Sequence, residues 1–224
     1  AAVLFDNDGT LVDSYEGITV SWTAWAIEHG VGAEQLKGHD GRSTSEIVRD
    51  LMHAEAYEAS LARIDELEEI HADKTVAAPG ALEALEALPQ HVWAVATSGI
   101  YPVASARLRA AGLPVPRELI CANDVPRAKP APDIFLRAAE LLGVPPTDCL
   151  VVEDAPHGIA AARAAGCTVL AVTTTVGADA LEGADAVVGG LDEARFEYVD
   201  GRVRVTVPGG VSERAAAASP SKAL

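Results

Sequence analysis

The sequence lacks long hydrophobic runs, basic patches and paired cysteine motifs. Hydrophobic residues make up 49% of the 224 residues, but they are dispersed, and no run approaches the length that spans a membrane. The chain has 17 Lys and Arg against 33 Asp and Glu, and its net charge of −16 argues against a nucleic-acid partner. An anionic ligand would therefore need local cations that act against the general field of the protein.

The three cysteines, Cys121, Cys149 and Cys167, do not form a Cys-x-x-Cys motif. We expect them to be reduced thiols, and the apolar neighbours of two of them predict small buried side chains. The unpaired cysteines favour a cytoplasmic protein. The chain opens directly on a strand, with neither Met nor a signal-peptide pattern, so we expect that its start has been trimmed. We also expect a monomer or weak dimer without a membrane partner.

The first polar motif follows an apolar run. Residues 1–5 predict a buried parallel strand, and this strand ends in two carboxylates, Asp6 and Asp8, before a turn at Gly9. Ligands of open α/β sheets bind outside the carboxyl ends of the strands, where these two acids would lie. Two such close acids repel unless a cation joins them, and hard oxygen ligands suit Mg²⁺. On this stretch alone, a strand that ends in a solvated turn is an equal alternative.

The segment that follows is helical and contains no predicted strand. Its apolar periodicity predicts three helices, at residues 15–29, 45–52 and 57–72. Short helices inserted directly after the first motif indicate a separate helical cap domain of residues 15–75.

From residue 76 onwards, predicted strands and helices alternate. This alternation predicts a parallel sheet with helices on both faces. The expected domains are an α/β core of residues 1–14 and 76–207 and a flexible tail of residues 208–224. Asp200-Gly201 between two alternating apolar runs predicts a β-hairpin with a type I′ turn, placed at the sheet edge or as a surface flap.

Polar residues also end or follow the later strands. Thr97 and Ser98 end one strand and offer a hydroxyl group and backbone amides to an oxyanion, although helix capping explains them equally well. Lys129 lies in a proline-rich turn, and a compact charge held in this way suits a phosphate group. Glu153 and Asp154 end another strand, where unpaired buried carboxylates are too costly to serve as structural filler.

In order and spacing, these four motifs resemble those of the haloacid dehalogenase-like superfamily, over nearly all of residues 1–188. The first of them is similar to the superfamily motif Asp-x-Asp-Gly-Thr, and the helical insertion is similar to the C1-type cap of its phosphatase subfamilies. Residues 96–99, 128–130 and 152–158 resemble sugar-phosphate and glycerol-phosphate phosphatases. The resemblance implies a Rossmann-like α/β core with an inserted α-helical cap.

The resemblance also implies Mg²⁺-dependent hydrolysis of a phosphate monoester. Asp6 would be the nucleophile that forms an aspartyl-phosphate, and Asp8 would act first as the acid and then as the base. Thr97 and Lys129 would stabilise the phosphoryl oxygens. The implied groups around Mg²⁺ are the Asp6 carboxylate, the Asp8 backbone carbonyl, Asp154 and, through water or at one remove, Glu153.

The leaving group should be recognised by the cap. Residues 39–46 resemble the Gly-Arg turn that cap-bearing phosphatases and phosphomutases point at the substrate. We expect Arg42 to contact the substrate, with His39 and Ser98 as further contacts, and a solvated loop charge is the alternative for Arg42. A bidentate guanidinium suits phosphate or vicinal hydroxyl groups, which favours a small phosphorylated sugar or polyol over a nucleotide or phosphoprotein.

Several other functions fit less well. Dehalogenases of the superfamily lack the second acid of the first motif, whereas Asp8 is present. Sugar phosphomutases typically place a His ten residues after that acid, where this chain has Ile18. A receiver domain carries its phosphorylated Asp after the acidic pair and has no helical cap, and an EF-hand requires a later Gly and a closing Glu. A non-catalytic binding protein of the same fold remains an alternative, although all four motifs are intact.

Overall fold

The computed structural model describes residues 1–36, 42–208 and 210–211. The strands are β1 Ala2–Phe5, β2 Val12–Asp13, β3 Val76–Ala77, β4 Trp93–Ala96, β5 Leu119–Ile120, β6 Cys149–Glu153, β7 Thr168–Val172, β8 Ala186–Val188, β9 Arg195–Val199, β10 Arg202–Val207 and β11 Gly210–Val211. The α-helices are α1 Tyr15–His29, α2 Thr44–Leu51, α3 Tyr57–Ile70, α4 Ala81–Glu86, α5 Tyr101–Ala110, α6 Asp133–Leu142 and α7 Pro156–Ala165. No helix in the described part of the chain is both long and apolar enough to cross a membrane.

Six parallel strands form the central sheet, in the order β5-β4-β1-β6-β7-β8. Strand β1 pairs with β4 on one side and with β6 on the other. The strand order therefore reverses at β1, and the crevice outside the carboxyl ends at such a point is where ligands of open α/β sheets bind. The predicted parallel α/β fold is confirmed.

The residues of β1 alternate between two apolar clusters. Val3 and Phe5 belong to a cluster on one face of the sheet, which also contains Leu108 of α5. Leu4 belongs to the cluster on the other face, together with residues of α6 and α7. Because strand side chains alternate with a period of two, β1 is buried on both faces, and Asp6 directly after it is the first polar residue of the strand end.

Helices α1, α2 and α3 share an apolar cluster of their own. Its fully buried centre includes Trp25, whose Nε1 donates a hydrogen bond to the Ser60 carbonyl at 2.8 Å. No strand occurs in the described residues between 15 and 73. The division into an α/β core and a helical cap remains our proposal, and this separate apolar cluster supports it.

The predicted hairpin forms, but it does not extend the edge of the central sheet, so that one of its two predicted positions was wrong. Asp200 (φ 52°) and Gly201 (φ 75°) both have the positive φ that a type I′ turn requires. Strands β9, β10 and β11 form a separate antiparallel sheet, in which Phe196 and Val205 are buried. The Phe196 ring lies 5.6 Å from that of Phe5, because the apolar face of the hairpin covers apolar surface over β1.

Strand β11 also changes the expectation for the tail. Its residues lie within the predicted flexible segment 208–224, yet they pair with the end of β10. The rest of that prediction, for residue 209 and residues 212–224, lies outside the described residues.

Candidate active site

Three buried acidic side chains meet at the carboxyl edge of the central sheet. Asp6, Glu153 and Asp154 each offer a carboxylate oxygen, and these oxygens lie within 4.8 Å of one another. Asp6 follows β1, while Glu153 and Asp154 lie at the end of the neighbouring β6. Parallel neighbours end at the same edge of a sheet, so the topology alone brings these acids together.

Lys129 fills the centre of this cluster. Its Nζ donates hydrogen bonds to Asp6 Oδ1 at 2.5 Å, to Glu153 Oε1 at 2.7 Å and to the Ala96 carbonyl at 3.0 Å. All three N–H groups of the ammonium are therefore used inside the protein. Burial lowers the pKa of Lys129, but the carboxylates of Asp6 and Glu153 outweigh burial and raise the pKa above its ordinary value. The ammonium stays charged, as a group that faces anions must.

The acids carry more negative charge than Lys129 offsets. Burial raises the pKa of Asp6 well above its ordinary value, and burial together with Glu153 raises the pKa of Asp154 to about 7. Both shifts reflect the cost of holding several ionised carboxylates in one buried site. A hard divalent cation would remove that cost, and an all-oxygen donor set is the type that such a cation prefers. The residues present therefore fit a metal.

Two glycines make room for the carboxylates. Gly9 has a φ of 85°, and a Cβ atom there would lie 2.1 Å from Asp154 Oδ2. A Cβ atom on Gly158 in the first turn of α7 would lie 1.6 Å from Glu153 Oε1. Any side chain at either position would push a carboxylate out of the cluster, so both glycines are part of the geometry of the site.

The carboxylate of Asp8 has different neighbours from those of Asp6. Its Oδ1 accepts hydrogen bonds from Ser14 Oγ at 2.7 Å and from Arg107 Nη1 at 2.9 Å. The Asp8 carboxylate does not belong to the three-acid cluster. This placement is compatible with a contribution from its backbone carbonyl to a metal and with a separate task for its side chain.

Thr97 and Ser98 follow β4, the other neighbour of β1. Thr97 is buried, and its Oγ1 accepts a hydrogen bond from the Gly99 amide at 3.0 Å. Ser98 is half-buried. The same edge of the sheet therefore carries Thr97, Ser98 and the acid cluster, as the strand order requires.

The predicted substrate contacts in the cap are described in part. Arg42 forms an ion pair with Asp50 of α2 at 2.8 Å. Ser43 caps the same helix in a capping box with Glu46. His39 lies outside the described residues. A role of Arg42 at the substrate stays a prediction.

Besides the hydrogen bond from Ser14 to Asp8, three further polar contacts of the site were not predicted from the sequence. Arg107 binds Asp8, Thr175 Oγ1 donates a hydrogen bond to Asp154 Oδ2, and Thr174 Oγ1 donates one to the Gly9 carbonyl. The threonines could have been found, because they follow the carboxyl end of β7 as the other site residues follow their strands. Arg107 also carried a signal: it shares the buried face of α5 with apolar residues three and four positions earlier.

A parallel sheet with a buried aspartate–lysine centre at its carboxyl edge places this protein among the α/β proteins whose ligands bind at the strand ends. The sequence model of the haloacid dehalogenase-like hydrolases matches residues 1–166. The chain belongs to this family, as its four motifs indicated. Hydrolases of the family generally use a divalent metal, and the acid cluster described above is able to bind one.

Relatives and solved structures cover most of the chain. Hexitol phosphatase A of Escherichia coli K12 is 40% identical over 196 residues, which are 85% of this chain and 91% of that protein. Glycerol-1-phosphate phosphohydrolase 2 of Saccharomyces cerevisiae is 34% identical over 202 residues, 84% of this chain and 81% of the relative. A hydrolase from Pseudomonas syringae has a similar structure, with a TM-score of 0.76, 29% identity and coverage of 85% and 94% of the two chains.

Proposed function

We propose that this enzyme hydrolyses the phosphate monoester of a small sugar or polyol through an aspartyl-phosphate on Asp6. The observation that carries the proposal is the position of Asp6, buried at the end of the central strand and hydrogen-bonded to Lys129. The activities named for the hexitol and glycerol-1-phosphate relatives support the same substrate class. We further propose a cytoplasmic monomer or weak dimer without nucleic-acid or membrane partners, in keeping with the net charge of −16.

The first half of the reaction forms the covalent intermediate. A carboxylate oxygen of Asp6 attacks phosphorus, and the bond between phosphorus and the ester oxygen breaks. The departing alkoxide takes a proton from the Asp8 carboxyl group. Lys129 and the hydroxyl group of Thr97 offset the charge on the phosphoryl oxygens, and the Ser98 amide stands at the same strand end.

The second half restores the enzyme. Asp8, now a carboxylate, removes a proton from water, and the resulting hydroxide attacks the phosphorus of the aspartyl-phosphate. The bond between phosphorus and Asp6 breaks and releases inorganic phosphate. Asp8 ends protonated, ready for the next leaving group, so atoms and protons balance over the cycle.

Mg²⁺ is the proposed metal, and it would neutralise phosphoryl charge when it is bound. The groups that would hold it are the Asp6 carboxylate, the Asp154 carboxylate and the Asp8 backbone carbonyl. Glu153 has a different task, because its Oε1 accepts from Lys129 and its Oε2 accepts the Asp154 and Ala155 amides at 2.9 and 3.0 Å. With both oxygens engaged, Glu153 orients Lys129, and it would meet a bound metal only through water.

A panel of phosphate monoesters tests this proposal. Hexose, pentose and polyol phosphates are compared with nucleotides and phosphopeptides by phosphate release, with Mg²⁺ and with a chelator. We expect the highest kcat/KM for a sugar or polyol phosphate and no release in the chelator, since the acid cluster cannot bind phosphate unaided. Best turnover of a nucleotide or phosphopeptide would reject the substrate class. Absence of metal-dependent release from every ester would favour a binding protein, and isomerised sugar phosphate would favour the phosphomutase alternative.

The Arg42→Ala variant tests the proposed substrate contact in the cap. If Arg42 binds the substrate, kcat/KM for the best ester should fall about tenfold, the loss of one charge-assisted contact. Arg42 also pairs with Asp50, so the matched control is Asp50→Asn, which removes that ion pair and keeps the guanidinium. Equal losses in both variants would mean that Arg42 only stabilises the cap.

A further inference from the structure

Arg107 is a buried arginine of helix α5, and the proposed reaction gives it no role. Its side chain is 5% exposed, and it lies on the face of α5 that also carries Val103, Ala104 and Leu108. A charged group at such a position needs partners, because burial of an unpaired charge is costly. Its Nη1 lies 2.9 Å from Asp8 Oδ1, and its Nη2 lies 3.6 Å from Glu68 Oε2.

The second partner belongs to the helices after the first motif. Glu68 lies in α3 and is buried, and its Oε1 accepts a hydrogen bond from Trp22 Nε1 of α1 at 3.1 Å. The Arg107 guanidinium therefore connects helix α5 with the loop after β1 and with α3 of the proposed cap, and Glu68 in turn connects α3 with α1. Its Nη2 is fully buried and makes no hydrogen bond, which leaves one donor facing the Glu68 carboxylate across a short gap.

The same guanidinium restricts the side chain of Asp8. Oδ1 of Asp8 accepts from Arg107 on one side and from Ser14 Oγ on the other, and Oδ2 lies 3.3 Å from Asn7 Nδ2. Ser14 directly precedes α1, and Arg107 faces Glu68 of α3. Two of the three groups that contact the Asp8 carboxylate therefore lie beside the proposed cap. A carboxylate held from three sides keeps one rotamer, and a proton donor must be placed to within a fraction of an ångström.

We propose that Arg107 is a positioning residue: it fixes the Asp8 carboxyl group for proton transfer to the leaving oxygen and ties it to the cap through Glu68. The inference rests on the proposed function, in which Asp8 is that proton donor. Stability alone is a weak reason for a buried arginine between two acids, because a buried ion pair often contributes little over apolar residues of the same volume.

The test compares two leaving groups. An alkoxide leaves only with a proton, whereas p-nitrophenolate leaves without one. Hydrolysis of the aspartyl-phosphate needs Asp8 for both esters, so the selective effect on alkyl esters is expected in kcat/KM, which reports the steps up to formation of that intermediate. The variant Arg107→Lys keeps the positive charge but loses the planar guanidinium group that can bind two partners. We expect it to lower kcat/KM for the best alkyl phosphate of the panel about thirtyfold. For p-nitrophenyl phosphate, the loss should stay below about threefold. Equal losses for both esters, or no loss, would overturn the proposal.

Glu68→Gln tests the connection to the cap. Glutamine keeps an oxygen for Trp22 Nε1 and removes the charge that faces Arg107 Nη2. We expect a loss of about fivefold in kcat/KM that is again confined to the alkyl ester. Unchanged kinetics would overturn the connection to the cap. This variant also decides the matter if Arg107→Lys does not fold, because Glu68→Gln leaves the bond between Arg107 and Asp8 in place.

Two controls separate this inference from the proposed function. Arg109→Lys makes the same change two residues further along α5, at an exposed position, and should leave both rates unchanged. Asp8→Asn should show the alkyl-selective loss in its largest form. If the wild-type enzyme hydrolyses neither ester, the proposed function fails. If wild type and Asp8→Asn behave as expected but Arg107→Lys behaves like Arg109→Lys, only the role of Arg107 fails.

Discussion

Asp6→Asn is expected to abolish phosphate release while the protein stays folded. The amide has the size of the carboxylate, and its oxygen can still accept the hydrogen bond from Lys129. It has no anionic oxygen to attack phosphorus, so kcat should fall at least about ten-thousandfold, the scale of losing a covalent nucleophile. Phosphate release from the best ester of the panel measures the loss of activity, and circular dichroism verifies that the variant is folded.

The structure supports the expectation that Asp6→Asn stays folded. Burial raises the pKa of Asp6, so its ionised form is costly in the metal-free protein, and a neutral amide avoids that cost. Lys129 keeps its ion pair with Glu153 in this variant, so the free energy of unfolding without Mg²⁺ should stay near the wild-type value. The stabilisation by Mg²⁺ should fall, because one of its oxygen ligands has lost its charge.

A matched control is available a few residues along the chain. Asp13 is exposed and accepts the Tyr15 amide at 3.1 Å, a bond that the oxygen of an asparagine preserves. Asp13→Asn should release phosphate at the wild-type rate. Wild-type turnover in Asp6→Asn would show that the covalent mechanism is wrong, even if the substrate class proved right.

Much of this site could be predicted because strand ends are local features of the sequence. An apolar run before Asp6 and another before Glu153 marked two buried strands, and parallel strands end at one edge whatever their side chains. The pairing of β1 with β6 then placed the acids together without any detailed knowledge of packing. The turn at Asp200 was equally local, because only a few residues tolerate two successive positive φ angles.

Contacts between distant elements could not be predicted in this way. The bond from Arg107 to Asp8 joins residues 99 positions apart, and no periodicity states which carboxylate a buried arginine will meet. The location of the β9–β10 hairpin depended on unfilled apolar surface beside Phe5, a property of the packed core rather than of the hairpin sequence. Such contacts depend on the shape and charge of the packed elements. The periodicity of a strand or helix in the sequence does not indicate which distant element it will contact.

Lys129→Met should produce the largest combined effect on stability and activity. Methionine has a similar length and removes the ammonium group, leaving Asp6 and Glu153 buried without their common partner. Removal of one member of a buried ion pair typically costs about 3–5 kcal/mol, which is the decrease we expect in the free energy of unfolding without metal. Urea denaturation of the metal-free proteins measures it.

The matched control for stability is Lys74→Met. Lys74 pairs with Glu16 at 2.7 Å, a distance as short as that between Lys129 and Glu153, but the Lys74 and Glu16 side chains are 35% and 68% exposed. Exposed ion pairs contribute little, so this variant should unfold at nearly the wild-type urea concentration. If both variants behaved alike, burial would not be the reason for the importance of Lys129.

Metal binding and turnover should respond to Lys129→Met in opposite directions. Without the ammonium, the cluster of Asp6, Glu153 and Asp154 is more negative, so Mg²⁺ should raise the melting temperature more in the variant than in the wild type. Turnover should nevertheless fall about a thousandfold in kcat/KM, because the metal alone does not replace the positive charge that Lys129 directs at the phosphoryl oxygens. A variant that binds Mg²⁺ more tightly yet scarcely reacts would identify Lys129 as part of the catalytic electrostatics. Wild-type turnover would instead reduce Lys129 to a structural counter-ion of Asp6 and Glu153.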